Sequence, residues 1–188
     1  MRLLFMRLAL AGGVAALSLV AACEDPYALA DATNPNRVDT LSLWALSGTA
    51  VHLPSAYVLA TKRAVRTDQT ATFDFAFDLG PGDEARLLPT DALRLTGRSG
   101  LLLTTAPFAS IKSAPDGGYV DSSAVVVTVG SVLFARSRPD FTCVVATLPY
   151  YAKLHILALD VTDRRVDFEI LTDSNCGYRG LEPGIPPR

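Results

Sequence analysis

The stretch TFDFAFDL, residues 72–79, alternates strictly. Phe73, Phe75, Phe77 and Leu79 fall on one side, and Asp74, Ala76 and Asp78 on the other. Successive side chains of a strand point to opposite faces, so this pattern reads as a strand with one face buried and one face wet. RVDFEIL, residues 165–171, repeats the design, with Val166, Phe168 and Ile170 inward and Asp167 and Glu169 outward. VDTLSLWAL and PSAYVLATKRAV read as earlier strands. AVVVTVGSVLFA is nearly continuous apolar, which predicts a central strand buried on both faces with Gly130 as a bulge or bend. CVVATLPYY and AKLHILALDV follow, with Pro149 as an edge or break between them.

Turn chemistry punctuates these runs. LGPGDE, LTGRSG, APDGGY and SRPD sit between apolar segments, and VTDRR is short enough to close a hairpin. No long amphipathic helix is legible, and DEARLLPTDAL has room for one helical turn interrupted by Pro89. Short strands separated by Gly/Pro turns predict an all-β fold, an antiparallel β-sandwich, with a small barrel-like Greek key as the alternative. The expected core is Trp44, Phe73, Phe75, Phe77, Val126, Phe134, Ile156, Phe168 and Ile170.

The N-terminus is built differently. Arg2 and Arg7 are the only charges before Glu24, and residues 8–22 are apolar or small. A membrane-crossing helix needs about 20 apolar residues. This run is shorter and follows positive charge, the layout of a secretory signal peptide. It ends in Val20-Ala21-Ala22-Cys23, which resembles the lipobox of bacterial lipoproteins: an aliphatic residue, two small residues and a cysteine. The resemblance covers residues 1–23. It implies removal of residues 1–22 as a lipoprotein signal peptide and lipidation of Cys23, which becomes the first mature residue. Its acyl chains, palmitate among them, then anchor the protein to a membrane; one chain holds marginally and two or more hold stably. The resemblance also implies a bacterial cell-envelope location, and Glu24 directly after the cysteine points to the outer membrane, facing the periplasm.

The organisation expected after cleavage is a lipidated cysteine and flexible tether over 23–36, a β-sandwich domain over 37–180 and a Pro-rich tail over 181–188. The 166 residues from Cys23 on are enough for one domain with a real core. They carry 15 basic and 19 acidic side chains, a formal −4, and no basic stripe, which argues against nucleic acid as a partner. Cys143 and Cys176 remain as an even pair in an exported chain, which predicts one disulfide closing a 34-residue loop.

Catalytic signals are sparse. His155 sits inside a predicted strand and reads as a polar-face residue. His52 precedes Leu53-Pro54 at a turn. There is no GxSxG elbow. Asp160, Asp163 and Asp167 surround the predicted hairpin turn without the spacing of a calcium loop, so they read as solvated turn acids. No metal or cofactor is expected. DSNCGYRGLEPG is the densest unusual stretch: Tyr178 and Arg179 there form a possible binding loop, or a disulfide-pinned strand end. Tyr150 and Tyr151 could contact a glycan or cap the core. The expectation is a lipid-anchored envelope protein with a non-enzymatic binding, assembly or structural role. Its partners would be the membrane, through the anchor, and an envelope protein or glycan. The alternatives are a lipid-anchored carrier holding an apolar ligand in a barrel, and an anchored hydrolase.

Overall fold

The computed structural model describes residues 29–139, 143 and 147–187. The expected signal peptide, Cys23 and the expected tether through residue 28 lie outside the described residues. Ten strands form: β1 (Val38–Trp44), β2 (Ala56–Val58), β3 (Arg63–Val65), β4 (Phe75–Leu79), β5 (Ala85–Pro89), β6 (Gly100–Thr104), β7 (Val125–Val126), β8 (Val132–Arg136), β9 (Tyr151–Asp160) and β10 (Arg165–Asp173). They make two five-stranded sheets, one in the order β1-β10-β9-β8-β6 and the other β3-β2-β4-β5-β7. Every ladder is antiparallel. The chain is an antiparallel β-sandwich, and the described strands close no barrel.

The alternation of β4 and β10 does what its period requires. Phe75 and Phe77 from one sheet meet Ile156, Phe168 and Ile170 from the other in the main core. Tyr57 joins them, its ring 5.5 Å from Phe75 and 6.3 Å from Phe168, and Phe75 lies 6.2 Å from Phe168. These rings pack on one another, so the phenylalanine face is filled rather than open. The hairpin also forms as expected: residues 161–164 turn between β9 and β10, with Arg165 opposite Asp160.

Several expectations are corrected because the outer faces of the sheets are covered too. Asp74 is not on a wet face; it is only 3% exposed, and Ala76 beside it is fully buried. Asp74 is enclosed by Leu59 and Arg138, whose backbone N–H groups it accepts, while Leu93 and Leu95, from the segment after β5, pack with Ala56, Phe73 and Ala76 on the outer side. Phe73 therefore belongs to this outer layer and not to the main core. Phe134 likewise packs outward, with Val132, Tyr151 and Leu171 under Ile111, Ala114 and Leu181. Trp44 is only partly buried, because Leu43 and Ala45 are the β1-side residues that enter the core.

AVVVTVGSVLFA is two strands, not one. It leaves the second sheet after β7, turns at residues 128–131 and enters the first sheet as β8. Gly130 sits in that turn with φ +88°, a left-handed conformation that glycine adopts without strain. The switch inverts the expected phase: Val126 is 46% exposed, and Val125 and Val127 are the buried neighbours. PSAYVLATKRAV is the hairpin β2–β3, and DEARLLPTDAL is strand β5 followed by a 3₁₀ turn over Thr90–Leu93. β6, in GLLLT, is an additional strand beyond those expected. The described residues of CVVATLPYY before Tyr151 form no strand; Leu148 makes an isolated bridge at most.

Cys143 and Cys176 are joined by a disulfide, with Cα atoms 5.7 Å apart. The bond clips the β8–β9 connection to the exit of β10. Tyr150 lies over it, its hydroxyl 3.5 Å from Cys176 Sγ. Tyr150 and Tyr151 are both buried, so they cap the two packing layers instead of facing a glycan.

Candidate functional site

The stretch after β10 organises one end of the sandwich. Asn175 Oδ1 accepts the backbone N–H groups of Thr33 and Asn34, each at 2.9 Å. Its amide nitrogen donates to Asn34 O at 2.9 Å and to Asp173 Oδ1 at 2.8 Å. Asn36 and Gly184 exchange backbone hydrogen bonds of 2.7 and 3.0 Å, and Asn36 Nδ2 donates to Gly180 O at 2.8 Å. Residues 30–36 are therefore not a free tether but a strap laced to the domain. The tail is laced in turn: Leu181 is fully buried and its N–H donates to Lys112 O at 2.7 Å.

Tyr178 and Arg179, predicted as a possible binding loop, belong to this lacing. Tyr178 is 3% exposed and its hydroxyl donates to Ala30 O at 3.1 Å. Arg179 Nε donates to Ala114 O at 2.7 Å, and its guanidinium pairs with Asp116. Gly177 takes the left-handed conformation at φ +75°, and a Cβ there would lie 2.8 Å from Leu148 Cδ1, so that side chain would have to shift. The lacing leaves a groove of about 790 Å³ between Leu29, Lys112, Gly180, Ile185 and Pro187. Asp173 lies close beneath it. Burial pushes its carboxyl above the usual carboxylate range, and Asp173 Oδ2 and Asn36 Oδ1 have no hydrogen-bond partner among the described residues. The sequence marks Asn175 only as part of the DSNCGYRGLEPG stretch and Asn36 only as part of the NPN turn, and neither pattern shows that the two ends meet.

A second depression, about 800 Å³, lies on the outer face of the first sheet beside Thr104, Phe108, Ser131, Val132 and His155. Strand register places Val132 opposite His155 and His155 opposite Glu169. His155 Nδ1 is 2.8 Å from Glu169 Oε1, and Phe108 stacks with the imidazole at 6.2 Å. Ser131 Oγ accepts the Thr128 N–H at 2.9 Å and so serves the turn around Gly130. Next to this row, the buried Lys153 donates to Phe108 O and Ile111 O at 2.9 and 2.8 Å. Burial pulls its ammonium pKa below the usual lysine range.

No protein-family model and no curated protein matches the chain.

The remaining predicted residues are not brought together. His52 sits on an exposed turn. Asp160 Oδ1 accepts the Asp163 N–H at 2.8 Å, while Asp167 accepts from Ser42 Oγ at 2.5 Å and pairs with Arg165 at 3.1 Å. Among the described residues, no group of three or more His, Cys, Asp or Glu side chains is placed to hold a metal ion, and no helix is long and apolar enough to cross a membrane.

Proposed function

We propose that this chain is a lipid-anchored protein of the bacterial cell envelope, held through Cys23 to the outer membrane on its periplasmic side. Its role there is non-enzymatic: binding, assembly or structure. The observation that carries the reading is the lipobox at residues 20–23, set behind a basic start and a short apolar run. The strap supports it. Because residues 30–36 are hydrogen-bonded to the sandwich, a lipid on Cys23 would tether the folded body closely. In cells fed labelled palmitate, the wild-type protein takes up label and sediments with membranes. Cys23→Ser leaves an unprocessed or soluble form without label. Label on the Cys23→Ser protein would overturn the reading.

The His155–Glu169 pair beside an open depression favours one second reading, an anchored hydrolase. A carboxylate on Nδ1 orients an imidazole as a base, and Ser131 lies in the same depression. Labelling of Ser131 by a fluorophosphonate, abolished in His155→Asn, would establish that reading in place of the first.

A further inference from the structure

We infer that the grooved end of the sandwich is a membrane-contact surface: the groove beside Leu29 and Ile185 rests on the lipid surface to which Cys23 is anchored. The inference deepens the anchoring reading and rests on it. Its first support is reach. From Cys23 to Leu29 are six residue steps, at most about 20–22 Å when fully extended. Leu29 lines the groove and flanks Gly177. The opposite end of the molecule carries the β9–β10 turn at residues 161–164. The eight residue steps of β10 alone put that turn about 27 Å from the groove end. An inverted pose, with the hairpin turn on the bilayer and Leu29 above it, is longer than the link allows.

Polarity then favours the end over the β1 edge. Ile185 is 53% exposed, and Pro183 and Pro187 beside it are exposed as well, so exposed apolar side chains share the groove with Leu29, where the chain leaves for its anchor. The charges on its rim cancel. Lys112 faces Glu182 at 3.4 Å and Arg179 pairs with Asp116. A surface of this kind suits the boundary between headgroups and acyl chains of a neutral bilayer, and it does not depend on anionic lipid. A pose resting on the edge strand β1 would instead bury its charged and polar residues, such as Asp39 and Thr40, which are exposed. In this pose the hairpin turn, with Val161, points away from the membrane.

The test uses the full-length acylated protein reconstituted in phosphatidylcholine vesicles. With Cys23 acylated and Cys143 bonded to Cys176, a single introduced cysteine takes a fluorescent label. Ile185→Cys and Val161→Cys place reporters at the two ends, and Pro183→Cys is a second reporter at the groove. Doxyl-labelled lipid should quench positions 185 and 183 at least about threefold more than position 161. The difference should persist in about 0.5 M salt, where exposed charge attraction is screened. Equal quenching, or stronger quenching at 161, on protein that is acylated and floats with vesicles would overturn this inference and leave anchoring intact. An intact mass without acyl chains, together with failure to float, would overturn the anchoring reading and this inference with it.

Discussion

Two buried carboxylates set the pH response at the level of single residues. Asp74 accepts the Leu59 N–H at 2.7 Å and the Arg138 N–H at 3.0 Å, with the Arg138 guanidinium 3.5 Å away. Burial nonetheless dominates and pushes its carboxyl above the usual 3.8, as it does for Asp173. Both groups hold protons more tightly in the folded chain than in the unfolded one. Stability therefore rises as pH falls through their folded pKa values, levels off near 3.8, and is lost again as pH rises. Asp68, held low by Arg66, acts in the opposite sense, but that pair is at the surface and contributes little. The contribution of these two groups to the urea midpoint should fall as pH is raised from about 4 towards 7. Asp173→Asn removes the buried carboxylate while keeping an acceptor oxygen for the Asn175 N–H groups. That variant should equal or exceed the wild type at pH 7 by up to about 1 kcal/mol and show a flatter pH dependence. A loss of stability at pH 7 would contradict the assignment.

At the scale of elements, the alternating runs were readable and their surroundings were not. Period two in TFDFAFDL identifies β4 and its core face, since Phe75 and Phe77 can only share one side. It carries no information about what lies across the other side: Leu93 and Leu95 cover Ala76 from one separate segment, and Arg138 and Leu59 enclose Asp74 from two others. The valine-rich run from Ala124 failed for a different reason: a chain that changes sheet keeps apolar residues on both sides of the crossing, so it looks like one buried strand. The β9–β10 hairpin was legible because pattern and turn are adjacent, whereas the strap depends on Asn36 and Asn175, side chains that meet from opposite ends of the chain. Two substitutions separate these contributions. Phe75→Asp places a charge among rings and should cost more than about 4 kcal/mol, or prevent folding, by urea denaturation. At Gly130 a Cβ meets nothing within 4 Å, so Gly130→Ala tests backbone conformation alone. It should cost about 1–2 kcal/mol in the same measurement. A neutral result would contradict the left-handed turn.

For the whole molecule, the disulfide is the one covalent tie between the β8–β9 connection and the end of β10. A loop of this size restricts the unfolded chain by about 3–4 kcal/mol, a large part of a typical total. Cys143→Ser and Cys176→Ser should each lower the melting temperature, and the double substitution should be no worse than either. Thiol titration of the unfolded, unreduced mature chain should find neither cysteine free; two reactive thiols would refute the bond. The order of the strands carries a further consequence, for synthesis. Among the described strands β1 takes its ladder only from β10, where Val38 lies opposite Leu171, and Asn36 is paired with Gly184. A chain that emerges N-terminus first thus exposes its earliest strand without a neighbour until its latest strand has arrived. Contacts of such long sequence separation form slowly, over milliseconds to seconds. A product that stops before Arg165 lacks the strand at the centre of both pairings, so neither β1 nor β9 can acquire the partner that completes the sheet.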